Sequence, residues 1–183
     1  RKKAPIAWTL SVEANAIVRG GDYDQPTDVY HPEYNTWAGP VAISNDATLT
    51  VQADAGKLLN FTGRVTAPGG GNLTKTGAGT VNLKGGLSLK QQTAWDNAKG
   101  RLQMDSGSGK LRVDGDCDLQ ILFSYGGRLE LVNGAINGIG SGLGSFYQRS
   151  IGVTADTSYV YASNATFNAA GRFWASGDMD GTS

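Results

Sequence analysis

The sequence predicts an all-β chain wound as a parallel β-helix, a solenoid of short coils. Three observations carry this. Glycine is 27 of 183 residues, while the helix formers Glu and Met number only 3 and 2, so turn formers outweigh helix formers. Short pieces alternate apolar with polar residues, as half-buried strands do. Gly, Asn and Asp stand between those pieces at spacings of roughly 8–12 residues, the pattern of a sandwich, barrel or solenoid.

Residues 1–37 read as an N-terminal cap or loop region. Within them Ala7–Val12 is strand-like, whereas 22–32 follow neither a helical nor a strand period. Residues 38–183 read as the coils. Strand-like pieces follow at Val41–Ile43, Thr48–Val51, Leu58–Phe61, Asn72–Lys75, Thr80–Leu83, Leu87–Leu89 and Arg101–Met104. Others are Lys110–Val113, Leu119–Phe123, Arg128–Val132, Ile151–Val153, Ser158–Tyr161 and Ala165–Phe167. Alternation points Leu49, Val51, Leu73, Val81, Leu83, Leu87, Leu89, Leu102, Met104, Leu111, Val113, Leu129 and Leu131 inward. It points Thr50, Thr74, Asn82, Ser88, Gln103, Arg112 and Glu130 to water. Lys75 is expected outside, where its charge would discourage edge pairing.

An antiparallel β-sandwich is the alternative. Two-residue hairpin loops would favour it, and Asn133-Gly134 and Asn137-Gly138 are such dipeptides. Almost nothing strand-like separates them, so they read as successive corners. A solenoid coil tolerates very short strands because each is paired by its neighbours.

Composition excludes several classes. A helical bundle or a βαβ enzyme needs amphipathic helices this sequence lacks. The formal net charge is zero, which leaves no basic field for nucleic acid. No apolar run is long enough for this segment to insert in a membrane as a helix. The chain opens on Arg1-Lys2-Lys3 rather than Met, so its natural beginning is expected upstream. The single cysteine, Cys117, allows no internal disulfide and reads as a small apolar filler.

Asn35-Thr36-Trp37-Ala38-Gly39 is followed, after two strand-like pieces and a Gly-rich turn, by Leu73-Thr74-Lys75-Thr76-Gly77-Ala78-Gly79-Thr80-Val81-Asn82-Leu83-Lys84-Gly85. This resembles the autotransporter-associated β-strand repeat of bacterial surface proteins. That repeat reads Asn-Thr-aromatic-x-Gly, then strands, then Leu-Thr-Lys-Thr-Gly-x-Gly-Thr-Leu-x-Leu-x-Gly; Val81 replaces one leucine. The resemblance covers about residues 35–86, with no second copy beyond. It implies a right-handed β-helix stalk, exported and displayed at the cell surface or secreted, with no catalytic residues to transfer.

Asp114-Gly115-Asp116-Cys117-Asp118 is the sharpest acidic cluster. Alternate carboxylates in a Gly turn offer oxygens to a hard cation, so Asp114, Asp116 and Asp118 are candidate calcium ligands; the plainer reading is that Asp favours turns. Asp22, Asp24, Asp178 and Asp180 form two lesser acidic turns. Tyr159 and Tyr161 share one strand face, and Trp174 follows Arg172, so these four are candidate glycan contacts, with stacking on sugar rings weighed against packing. Arg149 and Arg172 are the basic groups a polysaccharide lyase would need.

These readings converge on an exported structural and adhesive segment, without catalysis, whose partners are itself, neighbouring surface proteins or glycans. Residues 1–37 would cap one end, while Gly181-Thr182-Ser183 shows no cap, so truncation or end-to-end assembly is expected. The rivals are a carbohydrate-binding module, a polysaccharide-degrading β-helix protein and a viral or phage fibre segment.

Overall fold

The structure is a computed structural model that describes residues 6–20, 35–89, 99–105, 107–119, 121–138, 145–149, 158–168 and 173–176. These are all-β, with no α-helix among them. The expected strand Ile151–Val153 and the acidic turns at Asp22 and Asp178 lie outside the described residues.

Two parallel sheets hold the strands. The larger contains β1 (Leu10–Val12), β3 (Thr36–Trp37), β4 (Val41–Ile43), β6 (Leu58–Phe61), β7 (Val65–Thr66) and β9 (Thr80–Leu83). It continues with β10 (Leu87–Ser88), β12 (Lys110–Asp114), β13 (Cys117–Leu119), β15 (Gly127–Gly138) and β17 (Ser158–Asn168). The smaller sheet contains β2 (Ala16–Gly20), β5 (Thr48–Ala53), β8 (Asn72–Thr76), β11 (Arg101–Met104), β14 (Ile121–Ser124), β16 (Ser145–Arg149) and β18 (Phe173–Ser176). Three of these strands, β1 to β3, fall within residues 1–37.

From β1 to β12, each strand pairs with the one three places on. Thus β1 lies on β4, β2 on β5 and β3 on β6. Successive strand triplets therefore stack. β15 fuses two positions: residues 128–132 pair with β12 and 136–138 with β13. Beyond it the step shortens to two. Every pairing of these strands is parallel, so the antiparallel sandwich is not met. The order is consistent with a parallel β-helix.

Register stacks like on like. Val41, Val65, Leu87, Cys117 and Ile136 form one column, and Phe61, Leu83, Val113 and Leu131 another. All of these side chains are buried. Every residue expected inward by alternation is buried too. Cys117 serves as filler within its column, and burial pushes its thiol pKa up. The burial of whole columns is the main stabilising term, roughly 1.5–3 kcal/mol per large side chain.

Three expectations need correction. Lys75 is fully buried, in register between Val51 and Met104. Its backbone parity matches Leu73, so the stem fills the interior while Nζ donates to Thr76 O at 2.7 Å and Gly77 O at 2.5 Å. Asn137-Gly138 is not a corner; it belongs to β15. Thr74, Ser88 and Glu130 point outward by parity yet are nearly buried.

The turn between β8 and β9 explains its glycines. Gly77 has φ +74, a conformation that costs a Cβ-bearing residue about 1–2 kcal/mol. A Cβ on Gly79 would collide with the carbonyl oxygens of Asp54 and Lys57 below, and one on Gly109 with those of Ala78 and Gly79. Stacking at this corner leaves no room for a side chain.

Candidate functional site

Four parallel strands, β9, β12, β15 and β17, present one outward surface. Alternation places Val81, Leu83, Leu111, Val113, Leu129 and Leu131 inside, which turns the residues between them outward. Register then aligns Asn82, Arg112, Glu130 and Tyr161 across the strands. A second row aligns Thr80, Lys110 and Arg128.

Glu130 is the hub. Its side chain is only 8% exposed, and three cations cover it. Arg128 Nε donates to Oε1 at 2.7 Å, Lys110 Nζ lies 3.7 Å from Oε1, and Arg112 Nη1 lies 3.6 Å from Oε2. Arg112 Nη2 reaches Asp114 Oδ2 at 3.4 Å. The guanidinium carbon of Arg128 sits 5.1 Å from the centroid of the half-exposed Tyr161 ring, a cation–π arrangement. The acid is sunk and the cations stand above it, so the solvent side of this surface is cationic.

Beside the hub lies a groove of about 350 Å³, lined by Thr80, Asn82, Lys84, Lys110, Arg112 and Asp114. Asn82 Nδ2 donates to Asn60 Oδ1 at 3.0 Å. Lys84 is exposed just past the end of β9, its backbone fixed by a hydrogen bond from its N–H to Phe61 O at 2.7 Å. The groove offers positive charge, an amide, a hydroxyl and a carboxylate, a set suited to binding.

The three candidate calcium ligands are turned to separate protein partners. Asp114 Oδ1 accepts from Asn133 Nδ2 at 3.0 Å, Asp116 Oδ1 from the Ala135 N–H at 2.9 Å, and Asp118 Oδ1 from Asn137 Nδ2 at 2.7 Å. Asp118 Oδ2 also meets Arg64 Nη2 at 3.3 Å. Among the described residues no group of three His, Cys, Asp or Glu side chains could hold a metal ion. Two of the aspartates instead begin amide ladders. Asn164 Nδ2 donates to Asn133 Oδ1, and Asn168 Nδ2 to Asn137 Oδ1, each at 3.1 Å.

The candidate glycan contacts are divided. Tyr159 and Tyr161 lie on β17 in the larger sheet, Trp174 on β18 in the smaller. Arg172 lies outside the described residues. Sequence reasoning misses Lys84, Lys110 and Arg128 as site residues. Their signal is present as charged residues recurring at outward parity, but only the register joins them.

Comparison with family models, with curated proteins and with solved structures finds no match.

Proposed function

We propose that this chain is a stretch of right-handed parallel β-helix in an exported bacterial surface protein, where it acts as a non-catalytic structural and adhesive stalk. The observation that carries the reading is the stacking of parallel strand triplets with like residues in columns. Such stacking makes each coil depend on its neighbours alone, so the unit can be extended coil by coil into a stalk. Right-handed winding follows from the strong preference of parallel crossovers for that hand. The autotransporter-like motif at Leu73–Gly85 supports the assignment to a surface protein. Its glycines sit where stacking excludes a side chain, and its Leu73, Val81 and Leu83 sit in the interior.

Antibody labelling of intact source cells tests display. The reading expects labelling without permeabilisation and loss of signal after added protease. Labelling that appears only in permeabilised cells contradicts it.

A further inference from the structure

We propose that the groove across β9 and β12 binds an acidic oligosaccharide, its uronate carboxylates held by Lys84 and Arg112 and its hydroxyls by Asn82 and Asp114. The inference stands on side-chain geometry and holds whether or not the chain is displayed at a surface. Three features favour this ligand.

The first is charge with direction. Lys110 and Arg112 are each 41% exposed while Glu130 beneath them is 8% exposed, so an approaching anion meets the cations before the acid. Glu130 and Asp114 also fix the Arg112 guanidinium from two sides, which reduces the ordering cost of binding. The second is Lys84, an exposed cation on the groove wall, placed to pair with a ligand carboxylate.

The third feature separates a uronate from a nucleic acid. Asp114 lines the groove with its side chain 34% exposed. A carboxylate repels a uronate carboxylate and a phosphodiester alike, but it accepts from the free hydroxyls that each uronate ring carries, whereas the DNA backbone offers none. Mixed cations and acceptors therefore fit a chain that alternates carboxylates with hydroxyls. The aligned strands extend the same surface toward Arg128 and Tyr161, and an exposed ring there suits the apolar face of a sugar.

Calorimetric titration of the whole chain with oligogalacturonate, its methyl ester and a single-stranded DNA oligonucleotide tests this. The acid form is expected to bind, with the ester and the DNA silent. Lys84→Gln, an exposed change, is expected to weaken binding about tenfold, the loss of one charge-assisted hydrogen bond, with circular dichroism unchanged. Arg19→Gln, on β2 in the other sheet, is expected to leave it intact. No binding of the acid form, equal binding of the ester, tighter binding of DNA, or equal loss in both variants would overturn the proposal.

Discussion

Asn137 donates its side-chain amide to Asp118 Oδ1 at 2.7 Å across 19 residues of sequence, and accepts in turn from Asn168 at 3.1 Å across 31. One amide thus links three stacked strands. Removing it leaves the nearly buried Asp118 carboxylate with Arg64 alone, while the exposed Asn168 amide turns to water. Asn137→Ala should cost about 2 kcal/mol in urea unfolding, in the range for leaving a buried polar group short of a partner. Asn168→Ala, at the exposed end of the ladder, should stay within about 0.5 kcal/mol. Equal small effects would show that the ladder is incidental.

Gly79 and Gly56 make opposite demands. Gly79→Ala drives a methyl into the Asp54 and Lys57 carbonyl oxygens and should cost about 3 kcal/mol, the upper range for overpacking. Gly56 has φ +71 with open space around it, so Gly56→Ala should cost only about 1 kcal/mol of backbone strain. Chemical denaturation of both variants checks the order, and its reversal contradicts the tight stacking at Gly79.

Burial lowers Lys75 to about 8 from its ordinary 10.5. Between those values the unfolded chain keeps a proton that the folded chain has shed, so stability rises with pH through this window. Below about pH 8 both states are protonated and the contribution of this group is flat. The full rise is about 3 kcal/mol. Stability of wild type minus that of Lys75→Met should therefore climb by that amount from about pH 8 to 10.5. A pH-independent difference would mean Nζ is solvated in the folded chain.

Glu130 holds three cations together, each about half exposed. Glu130→Gln removes the charge and leaves Lys110, Arg112 and Arg128 repelling one another. The partners' exposure reduces the penalty from that of a fully buried pair to about 2 kcal/mol. It should shrink as salt rises, because the residual term is screened repulsion. A loss independent of salt would assign the role of Glu130 to packing.

Much of this fold is legible in the sequence. Alternation alone places Leu49, Leu73, Leu111 and Leu129 inside, because burial on one face leaves a period of two. At Lys75 two signals conflict: charge argues for water, and parity with Leu73 argues for the interior. Parity wins there, because a long stem can fill a core when carbonyl oxygens wait at its tip. The aspartates at 114 to 118 resemble a cluster because they are close in sequence. Their partners Asn133, Ala135 and Asn137 stand one strand away in space, reachable only once the register is known. The groove is hidden in the sequence for the same reason. Thr80 pairs with Lys110 and Lys110 with Arg128, at unequal spacings set by connectors of different lengths, so no fixed repeat reveals the row.

From β1 to β14 each strand lies parallel on the one a full triplet away rather than beside its sequence neighbour, and the columns, the corner glycines and the groove all depend on that relationship. Scalar couplings through hydrogen bonds, measured by NMR between amide nitrogen and carbonyl carbon, report it directly. Couplings are expected from Thr80 N to Lys57 C′, from Lys110 N to Gly79 C′ and from Arg128 N to Gly109 C′, matching hydrogen bonds of 2.9, 3.0 and 2.8 Å. A coupling from Thr80 N to a carbonyl of β8, its neighbour in sequence, would make that pair a hairpin and overturn the stacked-triplet fold.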